Sequence, residues 1–355
     1  MKEVIRVHVG PARNQRRGGR GALVATLTLV ALVATACGGS SDDGGGGGGG
    51  GGGADSADGG DLGTLKVVTV VPNSLLFIGV QAAEQLGTWE GTGLEVEVIN
   101  GTSPTAGQIM ASGEADIGLM DGNRAAANIT QGLDATIMGS AISPWVQYII
   151  ASSESGATEL EDLKGGTFGT SGEGSGGHYA TYKVAEDLGW SEDEWTATPL
   201  GNLESLRAAL ASGSIDAFAW SSTTAFSLEE RGEGVVLESA VDYVGPNLFE
   251  SFAVMNDVAE ERPEALRVFF EGYYDAIERI QEDPQLAIDV LVNEWDVDPQ
   301  AAERAVEADV PLLSTTGEVS EEELQGVAEA VTFATGAEAP DPSEFYEYWQ
   351  DVLEG

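Results

Sequence analysis

Cysteine is nearly absent: Cys37 is the only one in 355 residues, so no internal disulfide can brace the fold and stability has to come from a packed core. Histidine is almost as scarce, present at His8 and His178. A single histidine beyond Cys37 leaves too little material for a histidine-based metal site or a serine triad. Positive charge is the third shortage, with 16 Lys and Arg against 59 Asp and Glu. Six of those cations and only one acid, Glu3, precede Cys37, which leaves ten basic and 58 acidic side chains after it and a formal charge of −48. Such a balance excludes nucleic acid and anionic membrane surfaces as partners. It keeps a protein dispersed and fits a salty habitat or a genome-wide bias equally well. It says nothing about a buried site, which local dipoles set.

A long apolar run is missing too. The stretch from Ala22 to Ala36 falls short of the ~20 residues that span a bilayer. It follows a basic segment with Arg6, Arg13, Arg16, Arg17 and Arg20 and ends in Ala34-Thr35-Ala36 before Cys37, the order of a secretory signal. Residues 1–36 are therefore expected to be a signal peptide, the alternative being a retained anchor helix. Arg16-Arg17 is a weak twin-arginine signal, because Gly18 and Gly19 follow. Residues 37–63 are dominated by glycine, with an unbroken run from Gly44 to Gly53. A coil of that composition holds a folded body on the order of 25–30 Å from its anchor.

The folded part opens with a β-branched strand, Leu65 to Val71, then Pro72-Asn73-Ser74 and a helix from about Leu76 to Leu86. Leu94 to Ile99 alternates as a strand does. The most informative feature is a repeat offset by one hundred residues. Ala111-Ser112-Gly113-Glu114-Ala115-Asp116-Ile117 returns as Ala211-Ser212-Gly213-Ser214-Ile215-Asp216-Ala217, each a helix stopped by glycine, a turn with an acid, and a short apolar strand. Two similar α/β lobes follow from it. The second begins near Leu163-Lys164-Gly165-Gly166, with a strand at Thr167–Thr170 and a helix from Tyr179 to Leu188. The chain returns near Phe252–Met255, after which Leu266, Phe269, Phe270, Tyr273, Ile277 and Ile280 recur at helical spacing behind Pro263. The expected fold class is α/β, two Rossmann-like lobes on a two-segment hinge: 64–148 with 253–355, and 149–252.

Several of these segments together resemble a known family. They are the opening strand with Pro72, Leu86-Gly87-Thr88-Trp89 leading into Gly93-Leu94-Glu95-Val96-Glu97, both copies of the repeat, Leu160-Glu161-Asp162-Leu163-Lys164-Gly165, and Arg262-Pro263-Glu264. Their order, from Leu65 to about Trp295, resembles the type II periplasmic-binding-protein fold of ABC importers. The branch is that of nitrate, sulfonate, taurine and thiamine-precursor binding proteins. Ala34-Thr35-Ala36-Cys37-Gly38 likewise resembles a bacterial lipobox, which implies lipidation at Cys37 and an extracytoplasmic lipoprotein held at the cell membrane. The resemblance implies hinge segments near Tyr148–Ala151 and Phe252–Val254, a small-molecule ligand in the cleft, and ABC permease and ATPase subunits as partners. It implies neither catalysis nor a cofactor. A monomer is expected. The rivals are a ligand-sensing partner of a membrane receptor and an enzyme similar to pyrimidine-precursor synthases, whose histidine and cysteine chemistry this chain lacks.

Candidate ligand contacts follow from loops at strand ends, where helix N-termini point free N–H groups. The Gly-rich loop Ser171–His178 contributes Ser171, Gly174, Ser175, Gly176 and His178. Without a following Gly-Lys-Ser/Thr it is no nucleotide P-loop, but it could receive a sulfonate or carboxylate. His178-Tyr179 after such a loop is similar to sulfonate- and taurine-binding members. Asn73, Ser74 and Leu75 follow the first strand, and Asp121 and Asn123 follow the strand of the first repeat; either set could instead serve only as turns. A carboxylate at Asp121 opposite the loop suits an amine-bearing ligand such as taurine, or a neutral heterocycle. Trp145 and Trp220, the latter followed by Ser221, could close an aromatic wall or simply pack. Asn247 and Phe249 stand before the return crossing, and Trp190, Trp195, Trp295 and Trp349 read as structural. The expected ligand is a small organic anion, sulfonate- or taurine-like. The alternatives are a thiamine-precursor pyrimidine or other heterocycle, nitrate and bicarbonate.

Overall fold

The β-branched runs fold into two five-stranded sheets. A computed structural model describes residues 60–71 and 73–353, all within one compact unit, 55–355. The signal segment, Cys37 and most of the tether lie outside the described residues. In chain order the strands are β1 (Gly63–Thr69), β2 (Leu94–Asn100), β3 (Ile117–Asp121), β4 (Ala135–Ile142), β5 (Gln147–Ser152), β6 (Thr167–Thr170), β7 (Thr196–Pro199), β8 (Ala217–Ser221), β9 (Gly234–Ser239) and β10 (Glu250–Met255). The first sheet is ordered β2-β1-β3-β10-β4 and the second β7-β6-β8-β5-β9. The two orders are the same pattern. In each, three parallel strands are followed by one antiparallel strand, β10 or β5, that arrives from the other sheet. The segments expected as hinges, Tyr148–Ala151 and Phe252–Val254, lie inside those two strands, so the chain passes between sheets just before each of them. Among the described residues no helix is long and apolar enough to cross a membrane.

The repeat owes its form to a shared clamp. Gly113 and Gly213 each turn at positive φ, 74° and 67°, which an L side chain resists. The aspartate three residues later then closes the opening of the neighbouring strand. Asp116 accepts from the Lys66 amide at 2.8 Å while its own amide donates to the Lys66 carbonyl at 2.9 Å. Asp216 does the same with Thr167, both at 2.7 Å. Each aspartate's carbonyl also accepts from the far end of the crossing strand, from Met255 at 3.0 Å and from Ser152 at 2.8 Å.

Helix Pro263–Glu282 lays its apolar stripe on the first sheet, and Leu266, Phe269, Phe270, Tyr273, Ile277 and Ile280 are fully buried. Phe252 of β10 meets Phe269, Phe270 and Tyr273 edge-on, with centroids 4.8–5.8 Å apart. The chain beyond residue 253, expected to pack on the first lobe, reaches the second sheet's helices too. Helix Pro299–Asp309 packs on helix Ser222–Glu230, where Arg304 bridges Glu229 and Glu230 at 2.7 and 2.9 Å over the ring of Phe226. At its end the buried Asp309 accepts from the Ser222 hydroxyl, and burial pushes its carboxyl up to about 7. Helix Glu321–Thr335 packs on helix Gly122–Thr130 and touches helix Gly176–Asp187.

Asp116→Ala and Asp216→Ala are each expected to cost about 1–2 kcal/mol, since each removes one charge-assisted bond to a backbone amide, with Asp116→Ala the costlier because it also takes the carboxylate from Arg262, 3.7 Å away. Urea denaturation checks this, and a negligible cost for either variant would contradict a shared role for the clamps.

Candidate functional site

The carboxyl ends of the parallel strands from both sheets face one cavity of about 340 Å³, at the small end of the usual ~300–1,000 Å³ range for ligand sites. Val70 and Val71 follow β1, Ser171 follows β6, Asp121 closes β3, and Trp220 and Ser221 close β8. The crossing strands add their first residues, Gln147 from β5 and Glu250 from β10. Two loops related by the hundred-residue offset complete the lining: Gly101-Thr102-Ser103-Pro104 and Gly201-Asn202-Leu203-Glu204.

Pairing across the sheets fixes the deepest polar groups. Glu250 lies opposite Asp121 in the β3–β10 register, and Gln147 lies opposite Ser221 in the β5–β8 register. All four are more than nine-tenths buried: Glu250 is 2% exposed, Ser221 4%, Asp121 7% and Gln147 8%. Burial raises the Asp121 carboxyl above its ordinary range, against the pull of the Ser103 hydroxyl, which donates to Oδ2 at 2.5 Å, and of the Arg124 charge. Glu250 is pushed well above its ordinary value, by burial first and by the Asp121 charge second, and its Oε2 has no hydrogen-bond partner. The lining contains no Lys, Arg or His. Arg124 stands behind it, donating to the Glu173 carbonyl at 3.2 Å.

Of the residues singled out in the sequence, Asp121, Ser171, Gly176, Trp220, Ser221 and Phe249 line the cavity together. The others are placed elsewhere, for identifiable reasons. Asn73 is exposed in a turn with φ 60°, while Ser74 and Leu75 are buried and Leu76, one position on, reaches the cavity. Asn123 points behind Asp121, its amide donating to the Gly174 carbonyl at 3.5 Å. Gly174 donates its N–H to His178 Nδ1 at 3.1 Å, and His178 packs on Phe333 of helix Glu321–Thr335, away from the lining. Burial lowers the His178 pKa. Ser175 is buried at the start of helix Gly176–Asp187, but its hydroxyl makes no capping bond. Trp145 is fully buried between Tyr179 and Phe249, and its Nε1 donates to Gln147 Oε1 at 3.2 Å, so it orients a lining residue without being one. Asn247 is sealed against Gly326, where a Cβ would stand 3.0 Å from its Nδ2.

Gln147 and Glu250 escape a sequence reading because their neighbours are about 75 and 130 residues away along the chain. One local signal existed: a glutamate opening the otherwise uncharged strand Glu250–Met255. The rim residues Ser103 and Leu203 are not among the candidates read from the sequence. Among the described residues no group of three or more His, Cys, Asp or Glu is placed to hold a metal.

The chain's likeness to known proteins is one of family and fold. Residues 75–287 match the family model described as NMT1/THI5 like. No curated protein matches. The alkanesulfonate-binding protein SsuA from Xanthomonas axonopodis pv. citri, bound to MOPS, superposes with a TM-score of 0.66 at 18% identity, over 79% of this chain and 95% of that one. A Candida albicans gene product with the generic periplasmic-binding-protein fold gives 0.66 at 18%, over 82% and 94%. The ligand-binding component of an ABC-type import system from Staphylococcus aureus, with zinc bound, gives 0.70 at 12%, over 82% and 98%. Two like-ordered sheets completed by exchanged strands, and a family match over most of both, lead to one assignment: the chain belongs to the NMT1/THI5-like family, with the periplasmic-binding-protein fold.

Proposed function

We propose that this chain is the extracytoplasmic solute-binding lipoprotein of an ABC importer, that residues 64–148 with 253–355 and residues 149–252 act as its two lobes, and that the cavity between the sheets holds an amine-bearing solute. The observation that carries the last point is the pair of buried carboxyls, Asp121 and Glu250, in a lining without a basic residue. A sulfonate with no amine, expected from the sequence as one form of the ligand, would meet these carboxyls with no cation to offset them. A protonated nitrogen gains from both, because a charge-assisted bond in a water-poor site is about twice as strong as a neutral one. Trp220, Leu76 and Phe249 supply apolar wall for the rest of the solute. Closure follows from differential affinity: a solute touching both lobes stabilises the closed form by the contacts it lacks in the open one. A permease and an ATPase would then take the solute, with the lipidated Cys37 and the Gly-rich tether keeping the body near them.

The pair also sets the pH dependence. Both carboxyls have folded-state pKa values above their ordinary ones, so the empty protein binds protons more readily than the unfolded chain and loses stability as pH rises from the ordinary carboxylate range through the raised values. The charged and titratable groups around the pair are Arg124, the rim Glu204 and the buried Tyr273, whose hydroxyl is itself pushed up by burial and by Glu250. An ammonium stabilises the ionised pair and releases protons on binding.

Amine affinity should therefore rise with pH over that range, and titration in buffers of different ionisation enthalpy should show proton release. Proton uptake with affinity falling as pH rises would instead fit an anionic solute. Glu250→Gln is expected to weaken amine binding at least tenfold while raising the stability of the empty protein by roughly 1–3 kcal/mol, as a poorly satisfied buried acid is removed. His178→Ala, outside the lining, should leave amine affinity within about twofold. Thermal-shift and titration measurements on the same variants decide both.

A further inference from the structure

The two halves of the cavity are related by the internal repeat, and the relation is broken in one respect. Aligning β3–β10 with β8–β5 through their registers sets Asp121 against Ser221 and Glu250 against Gln147. The first half thus presents two carboxyls where the second presents a hydroxyl and the uncharged isostere of glutamate. At the rim the same offset sets Ser103, which holds Asp121, against Leu203.

Apart from the rim Glu204, the second half is a donor surface. Gln147 Oε1 accepts from Trp145 Nε1, which assigns the amide and turns its Nε2 donors the other way. That nitrogen lies 3.5 Å from the position a Cβ on Gly176 would take and Asp121 Oδ1 lies 3.0 Å from it, so the donor and carboxyl ends of the cavity adjoin beside the lining residues Gly176 and Gly177. These two glycines open a 12-residue helix whose first turn has amides unused by the helix itself. The Ser221 hydroxyl, nine-tenths buried and in the lining, has no partner. Glu250 Oε2 on the first half is equally unpartnered, as an acceptor.

The geometry points to a dipolar solute bound in one orientation, its protonated nitrogen on Asp121 and Glu250 and an acceptor oxygen, of a carboxylate, sulfonate or carbonyl, on Gln147, Ser221 and the Gly176–Gly177 amides. Gln147 and Ser221 are the specificity residues for the acceptor end. This rests on the amine reading above and adds the second end to it.

Titration calorimetry on the full-length protein tests it with two matched triplets: taurine, propylamine and ethanesulfonate; and para-aminomethylbenzoate, para-methylbenzylamine and para-toluate. In at least one triplet the dipolar member should bind tenfold or more tighter than the amine alone, and the acid alone should bind weakest. Gln147→Leu should abolish that advantage, bringing the dipolar member to the affinity of the amine alone, while its circular-dichroism spectrum and thermal melt certify that the variant is folded. Ser221→Ala should act in the same direction to a smaller extent. Equal affinity of dipolar and amine-only probes in both triplets, or a Gln147→Leu that weakens both alike, overturns the dipolar orientation and leaves the amine reading standing. Binding of the acid-only probes without the amines, or silence of all six at millimolar concentration, overturns both.

Discussion

Each sheet is finished by a strand that the other half of the chain supplies, and the rest of the molecule follows from that exchange. A parallel trio such as β2-β1-β3 leaves one edge of β3 with unpaired N–H and C=O groups, and an antiparallel strand must cover it. Because β5 and β10 arrive from opposite sheets, two chain crossings lie side by side. The first residue of each crossing strand lands beside the last residue of a parallel strand. Glu250 meets Asp121 and Gln147 meets Ser221 for that reason alone.

The cost of this arrangement is electrostatic. Two carboxyls within one buried corner cannot both ionise without help, and here burial raises both. Ser103 and the more distant Arg124 offset part of the penalty at Asp121, while Glu250 has only the desolvation and its neighbour's charge. An unsatisfied acid in a natural core is destabilising unless something outside the chain completes it. The proposed solute is that completion. Cavity shape alone would not have separated an amine from an anion.

Much of the fold was legible in the sequence because its signals are local. β6 falls where it is expected after Gly165-Gly166, at Thr167–Thr170. The stripe from Leu266 to Ile280 is buried as its spacing requires, and the repeat marks the same helix–turn–strand in both sheets. Small discrepancies have local causes as well. The second lobe's helix starts at Gly176 and not Tyr179, since free amides at a first turn tolerate glycine. The site was half legible: Asp121, Trp220 and Ser221 end strands and could be found from the repeat. Gln147 and Glu250 depend on a register between distant segments, which no local pattern encodes. His178 misled for a related reason, because a helix start faces two ways and this side chain turns towards Phe333.

The short strand β3 carries both kinds of demand at opposite ends. Asp116, just before it, clamps β1 and holds the sheet together; Asp121, its last residue, lines the cavity. β8 divides its work the same way between Asp216 and Ser221. With architecture and cavity lining separated by five positions and duplicated across two sheets, one half of the cavity can be rewritten while the other keeps its lining and both still fold. Glutamate to glutamine at the crossing strand and aspartate to serine at the parallel one already distinguish the two halves, and the same exchanges are open to any descendant that must recognise a new solute.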